Sequence, residues 1–367
     1  MFLRTLSALM LPLALSVAAH AAAPAQPPGP PRLSVSGADV LDPSGKPILL
    51  RGWNWGHWGK AQPQDGAENA AQGANVVRIP LRWWGFYKGR GGTVDSREDG
   101  ATATAGIDPA NLRHLDDMVR WASAAKLWIV LFVDSDCGQN GTQDARERQY
   151  CDPQGRYPQG HNFWTDAEAR KRFINVWRFV AARYKDTPYL GMFEPLPEPN
   201  PPGVPDAQIA AFYDELMAAI RPVAPGVPFL VGGRAYKAPA IRGVYNPAWK
   251  DVVYTGNLFL HARKAGGGEG ALQDIRQRAQ ELLALRNQHK VPVFVQQVGV
   301  RSGEDPDRRM VRGVLQHLVD QRIGFAYWEY RGSTSPDEYG VHYERGNQWV
   351  AKREWIDAVS AAFRTAP

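Results

Sequence analysis

The residues able to do chemistry in this chain gather behind short apolar runs. Trp53-Asn54-Trp55, with Trp58 close behind, follows the first run, and Arg78 with Trp83-Trp84 follows the second. Asp134 and Asp136 come after the third, Glu194 and Glu198 after the fourth, and Asn257 near the end of the sixth. Gln296-Gln297 and Trp328-Glu329 close the last two. Flat aromatic faces stack on the C–H faces of pyranose rings, and carboxylates and amides bind hydroxyls. Thirteen Trp in 367 residues is a clear excess, and its concentration at these run ends points to a carbohydrate ligand. Trp121, Trp177 and Trp355 sit at helical spacing and read as core, whereas Trp53, Trp55, Trp58, Trp83, Trp84 and Trp328 read as site-lining. The eight His are isolated, with no His-x-His or His-x-x-x-His pair, so no metal site is expected. There is no Gly-x-Ser-x-Gly elbow for a serine nucleophile.

The elements that must position these groups alternate along the chain. Eight runs rich in Val, Ile, Leu and Phe (48–54, 75–80, 127–133, 190–196, 227–232, 252–259, 291–298 and 323–328) are separated by stretches of helical period. Continuous apolar runs suit parallel strands buried on both faces. Helix-start signals stand between them: Asp108-Pro109, a Thr165-Asp-Ala-Glu168 capping box, Asp206 and Asp307. A final helix is expected over about 350–363. Residues 33–41 and 48–50 flank an Asp42-Pro-Ser-Gly45 turn and predict a hairpin. The pattern predicts a (β/α)8 TIM barrel with a short N-terminal β-hairpin. A doubly wound sheet would want a Gly-rich phosphate loop after an early strand; Gly266-Gly-Gly268 lacks that context.

Residues 1–21 predict a secretory signal: Arg4, an apolar run from Leu6 to Ala18, then Ala19-His-Ala21 for cleavage. The Pro/Ala-rich stretch 22–32 predicts a linker, leaving 33–367 as one domain in the periplasm or outside the cell. An oxidising compartment lets Cys137 and Cys151 pair as a disulfide. The net charge of +6 is mild and scattered over helices, which argues against nucleic acid, and no later run is long enough to span a membrane. With 22% charged and 11% aromatic residues the chain is not a disordered one. A monomer binding an oligo- or polysaccharide, without cofactor, is the expectation.

Taken in order, several motifs resemble glycoside hydrolase family 5, a cellulase-type (β/α)8 family, over nearly all of residues 33–367. Gly45-Lys-Pro-Ile-Leu-Leu-Arg-Gly-Trp-Asn54 resembles the entry into the family's first strand. Gly73-Ala-Asn-Val-Val-Arg78-Ile-Pro80 is similar to its second, whose arginine lies beside the nucleophile. Phe193-Glu-Pro-Leu-Pro-Glu198-Pro199 resembles the Asn-Glu-Pro motif, which implies Glu198 as acid/base. Val293-Phe-Val-Gln-Gln297-Val-Gly299 resembles the motif carrying the nucleophile, and Trp328 matches the tryptophan flooring the reacting sugar's subsite. The resemblance implies hydrolysis or transglycosylation of a β-linked glycan.

The departures sit where that chemistry would happen. The nucleophile position holds Gln297, the Asn before the acid/base is Pro197, the strand-three His position holds Asp134, and the strand-six His-x-Tyr reads Asn257-Leu-Phe259. A retaining enzyme needs two carboxyl groups about 5–5.5 Å apart, one attacking the anomeric carbon. A neutral amide cannot form the glycosyl ester, and it removes a like charge that would help raise the pKa of Glu198. Three routes follow. Another carboxylate (Asp134, Asp136 or Glu329) acts with Glu198; the substrate supplies its own nucleophile, such as a 2-acetamido group, oriented by Gln297; or catalysis is lost and the cleft binds glycan as a binding or polysaccharide-assembly protein. Pro195 and Pro197 predict that strand four ends near Phe193 or bulges there, which bears on where Glu198 points.

Overall fold

A computed structural model describes residues 29–81, 109–133, 164–165, 167–201, 203–234, 242–262 and 265–365. Asp108, Asp134, Asp136, Cys137, Cys151, Trp83, Trp84 and the signal segment lie outside them. Strands β1 (Ser34–Ser36) and β2 (Asp39–Leu41) form a hairpin, followed by β3 (Arg51–Asn54), α1 (Asp65–Ala71), β4 (Val76–Leu81), α2 (Pro109–Ala124), β5 (Trp128–Val133), α3 (Ala167–Tyr184), β6 (Leu190–Glu194) and α4 (Asp206–Ile220). The chain continues through β7 (Phe229–Gly232), β8 (Val252–Leu260), α5 (Gly268–His289), β9 (Val293–Val300), α6 (Arg309–Asp320) and β10 (Gly324–Tyr327). It ends with β11 (Arg331–Ser333), β12 (His342–Arg345), β13 (Gln348–Ala351) and α7 (Arg353–Arg364). Each of the eight apolar runs is a strand, and together they close a parallel barrel in the order β10-β3-β4-β5-β6-β7-β8-β9. The fold is a (β/α)8 TIM barrel.

Alternation along the strands divides the core in two. Val76, Val130, Met192, Leu230, Val253, Phe294 and Ala326 point inward and fill the lower barrel; their neighbours Val77, Ile129, Leu131, Phe193, Phe229, Val231, Val295 and Phe325 point outward and pack under the helices. The hairpin plugs the bottom, with Leu33, Val35, Val40 and Ile48 against the inner cluster. The turn between β1 and β2 precedes the one marked in the sequence, and both are present. The chain reverses at Gly37, whose φ of 55° suits a residue without Cβ. Asp42–Gly45 forms a second turn, in which Asp42 Oδ1 accepts from the amides of Ser44 (2.8 Å) and Lys46 (3.1 Å) and Leu41 bridges back to Pro47.

Two helix starts also differ from expectation. Asp206 is the first residue of α4, with Pro205 at its N-cap, and its carboxylate pairs with Arg234 (2.6 Å). At α6 the anchor is Asp305, whose carboxylate accepts from the amides of Met310 and Val311 (both 2.9 Å), whereas Asp307 accepts from the Arg309 amide. The sheet β11-β12-β13 is an addition the sequence reading did not foresee, and α7 therefore begins after it, at Arg353. The Gly346-Asn347 pair between two short segments is the two-residue turn signal that marks it. Among the described residues no helix is long and apolar enough to cross a membrane.

Candidate active site

Above the apolar layer, the inward positions turn polar. Asn54, Arg78, Glu194 and Gln296 occupy the same alternating face as Val76, Met192 and Phe294, one step nearer the C-terminal ends of the strands. Arg78 is fully buried and organises the layer. Its Nε and Nη2 donate to the two carboxylate oxygens of Glu194 at 2.5 and 3.0 Å, and its Nη1 donates to Asn54 Oδ1 at 2.8 Å. The guanidinium carbon lies 3.5 Å from the centre of the Phe132 ring. Asn54 is fixed in turn, since its Nδ2 donates to the carbonyls of Gln296 (2.9 Å) and Ala326 (3.1 Å). Five strands (β3, β4, β6, β9 and β10) are thereby tied together around one cation, and Asn54 is spent on holding Arg78.

Strict alternation would turn Gln297 outward, because Gln296 faces in. The ladder breaks there. Gly256 pairs with Val295 but Asn257 with Gln297, and on the other side Phe325 pairs with Val295 but Tyr327 with Val298. Strand β9 therefore carries one extra residue, a bulge that brings both glutamines to the site. With the Gln297 amide oriented by its hydrogen-bond neighbours, its nitrogen donates to Glu198 Oε1 at 2.5 Å and its oxygen accepts from Arg78 Nη1 at 3.2 Å.

Glu198 reaches this point from a loop. Strand β6 ends at Glu194 and the prolines follow. Trp177 of α3 donates to the Pro195 carbonyl (3.2 Å), and the Tyr213 hydroxyl of α4 lies 2.5 Å from the Leu196 carbonyl and 2.9 Å from that of Gly232. Glu198 itself holds a left-handed backbone, φ 50°, a conformation that costs energy for a residue with a side chain. Its carboxyl keeps some solvent contact through the cavity but is otherwise surrounded by protein. Burial pushes its pKa up from 4.5 to about 7; Arg78 opposes this, Glu194 adds to it, and a hydrogen bond from Gln296 opposes it. The like charge lost at Gln297 is thus made up by desolvation.

These groups line a cavity of about 260 Å³ at the C-terminal end of the barrel, with His57, Arg78, Phe132, Pro197, Glu198, Phe259, His261, Gln297, Trp328 and Tyr339 in its wall. Six residues singled out in the sequence come together here: Arg78, Pro197, Glu198, Phe259, Gln297 and Trp328. Others do not. Trp53 is fully buried on the outward face of β3, packed against Tyr327, Tyr330 and Phe363, with ring centres 5.1–5.7 Å away. Trp55 is also buried, and its Nε1 donates to Asn69 of α1 at 2.8 Å. Both are core residues rather than sugar platforms, because inward-facing Asn54 forces its neighbours out. Trp58 packs on the same core with its ring against His114. Asn257 is not in the cavity wall. Nor is Glu329, whose carboxylate lies against the backbones of Gly56 and Gly332.

The sequence reading passed over His57, His261 and Tyr339. Position was the available signal for the histidines: His57 follows β3 closely and His261 directly follows β8, both at C-terminal strand ends. His57 stands nearly perpendicular to Trp328, ring centres 5.1 Å apart. Phe259 and Tyr339 meet edge to face, 5.2 Å apart, above Gly299, where any Cβ would collide with the Phe259 ring at 2.7 Å.

The family model of cellulase (glycosyl hydrolase family 5) matches residues 41–333. Curated relatives include a probable glucan 1,3-beta-glucosidase A of Aspergillus fumigatus, 27% identical over 174 residues (46% of this chain, 36% of the relative). A beta-xylosidase of Phanerodontia chrysosporium is 21% identical over 262 residues (60% of this chain, 50% of the relative). The chain thus spans half or less of the length of these relatives. Among solved structures it is similar to endoglucanase Cel5A of Thermotoga maritima, with TM-score 0.61, 18% identity, and 85% of this chain and 97% of that one covered. It is similar also to an endogalactoceramidase (TM-score 0.65, 18% identity, 90% and 84% covered). The cellulose synthase subunit Z of Clostridioides difficile is a third (TM-score 0.62, 17% identity, 85% and 99% covered). At these identities the structural likeness speaks for the fold.

Proposed function

Since the chain belongs to glycosyl hydrolase family 5, we propose that it acts on the O-glycosidic bonds of a β-linked glycan, by hydrolysis or transglycosylation, with Glu198 as general acid/base. One observation carries this reading: a carboxyl raised to about 7 faces Gln297 across the floor of a cavity that Trp328 lines. An acid of that pKa holds its proton near neutrality and can give it to a leaving oxygen. Among the described residues Glu198 is the one carboxyl in the cavity wall. That favours a route in which the group attacking the anomeric carbon comes from the substrate, such as a 2-acetamido oxygen held by the Gln297 amide. The proton leaves Glu198 for the departing sugar, and the resulting carboxylate then takes one from the incoming water or sugar hydroxyl. Asp134, which directly follows β5 in the sequence, stays in play as a second carboxylate. The signal-like segment 1–21 supports export, to be checked by cell fractionation.

A second reading has its own observation. The 2.5 Å contact between Gln297 and Glu198 closes the gap in which the anomeric carbon would sit. It favours a glycan-binding or assembly protein without turnover, and one structural neighbour is a cellulose synthase subunit. The deciding experiment incubates the purified mature protein and its Glu198→Gln variant with a panel of β-linked oligosaccharides that includes 2-acetamido sugars. Product release by wild type and none by the variant is the expected result. Binding without cleavage across the panel overturns the catalytic reading. Gln297→Glu adds a check, since gain of activity on a common β-glucan or mannan marks a site one carboxylate short of the ordinary retaining pair.

A further inference from the structure

Part of the cavity wall comes from the added sheet rather than from the barrel. Tyr339 lies in the segment 334–341 that links β11 to β12, and it lines the cavity. Its ring meets Phe259 edge to face at 5.2 Å, and the Arg301 guanidinium lies 5.6 Å from its centre. A Cβ on Gly299 would stand 3.0 Å from the ring, so the bare backbone of β9 lets it come this close.

The segment is fastened differently on the two sides of Tyr339. After Tyr339 the bonds run to the strands around it. The Gly340 amide donates to Ser333 Oγ (2.7 Å) and the Val341 amide to the Glu329 carbonyl (2.9 Å). Before Tyr339 the chain runs over the surface, with Thr334, Pro336 and Asp337 exposed. There a side chain from elsewhere reaches it. Lys352, directly after β13, donates from Nζ to the carbonyls of Pro336 (3.1 Å) and Glu338 (2.8 Å) and to Ser302 Oγ (2.8 Å). Ser302 belongs to the turn after β9, and its hydroxyl lies 2.5 and 2.9 Å from the same two carbonyls. The Gly303 amide adds a bond to the Asp337 carbonyl (3.1 Å).

An ammonium has three protons and no lone pair, and here each proton has an acceptor. Burial lowers the pKa of Lys352 from 10.5 to about 8, while Asp337, Glu338 and Glu329 pull the other way, so the group keeps its charge at pH 7. A charged donor makes stronger hydrogen bonds than a neutral one. Lys352 is therefore the joint at which three pieces of chain meet: the end of β13, the turn after β9, and the stretch leading into Tyr339.

We propose that Lys352 is a positioning residue for the cavity: its ammonium pins the backbone of 336–338 to the turn after β9, and this sets where the Tyr339 ring stands in the wall. The assignment concerns the wall itself and holds whether the site cleaves a glycan or only binds one. On the glycan reading above, a loosened wall would cost the seated sugar its contact with that ring.

The test places a fluorine probe in the wall, as Tyr339→4-fluorophenylalanine, and reads it by fluorine NMR at pH 7 in the otherwise wild-type protein and in two variants. Hydrogen exchange of the same proteins is followed by mass spectrometry. The otherwise wild-type protein should give one sharp resonance. Lys352→Met keeps the length of the stem and removes the ammonium. It should give a broadened or second resonance, with amide exchange over 336–341 faster by about tenfold or more, the worth of one charge-assisted hydrogen bond. The barrel strands should exchange as in wild type, which a general loss of stability would not allow. Ser302→Ala removes one acceptor and the bridging hydroxyl, and should act in the same direction by less; it decides the matter where Lys352→Met does not fold. No sugar is needed, so failure here stays apart from failure of the glycan reading, which the oligosaccharide panel decides. The wild-type resonance and wild-type exchange over 336–341 in Ser302→Ala, together with the same result or a loss of folding in Lys352→Met, overturn the proposal.

Discussion

Glu194 and Glu198 leave the same strand end four positions apart, yet they do opposite things. Glu194 is wholly buried, and both its oxygens are taken by the Arg78 guanidinium. Glu198 is hydrogen-bonded, among the described residues, to the neutral amides of Gln296 and Gln297, and opens onto the cavity. Burial raises the pKa of both and Arg78 opposes the rise in both, at Glu194 through direct hydrogen bonds as well as charge. The partner's charge, more than residue type or depth, separates a strut from a proton donor. A cation in direct contact favours the charged form of a carboxyl, while one bonded to neutral amides in a largely buried pocket can hold or release a proton near neutral pH.

The largest expected effect breaks the strut. Glu194→Gln leaves the Arg78 cation in the barrel interior without its counter-charge, at a cost of about 3–5 kcal/mol in unfolding free energy, measured by urea denaturation. Activity should fall with it, because Arg78 also anchors Asn54 and Gln297. Glu198→Gln should divide the two properties. Its stability is expected within about 1 kcal/mol of wild type, since no buried cation is orphaned, while cleavage drops by about 10²–10⁴, the usual worth of a general acid/base. Equal destabilisation by the two variants would falsify the division of roles.

The barrel was legible because every strand is an apolar run, and buried parallel strands need nothing subtler. Arg78, Glu198, Gln297 and Trp328 were legible from order and motif. The misreadings share one physical cause. Trp53 and Trp55 were placed by their nearness to a strand end, whereas in a barrel the neighbours of an inward residue face outward; Asn54 faces in, so both tryptophans join the helix-facing core. The same rule would have misplaced Gln297, and only the bulge in β9 corrects it. A bulge has no composition of its own, and a pairing register is a property of two strands at once. The histidines were missed because an isolated His carries no spacing signal. The Asp305 cap was missed because its two acceptors serve amides five and six positions ahead, beyond the usual capping interval.

A smaller effect tests how Glu198 is aimed. Tyr213→Phe removes the hydroxyl that serves the carbonyls of Leu196 and Gly232 and accepts from the Gly232 amide (3.2 Å). Leaving buried backbone groups unsatisfied should cost about 1–3 kcal/mol. Its signature against Glu194→Gln is a drop in kcat larger than any change in KM, because the loop that carries Glu198 loosens while the Arg78 ion pair stays intact.

The smallest effect concerns the proton itself. If Glu198 is the general acid, its protonated form is the working one, so kcat/KM should be flat below neutrality and decline as pH rises through about 7. Gln296 donates to the carboxylate and so favours its charged form. Gln296→Met removes that donor while keeping the side chain's length, and the descending limb should move to higher pH. The direction is the test, because loosened packing around Glu198 would admit water, relieve the desolvation that raises the pKa, and move the limb down. Infrared titration of the Glu198 carboxyl reads the same shift with no turnover required, so the comparison between an amide-held and a cation-held carboxylate can be made even if the site only binds its sugar.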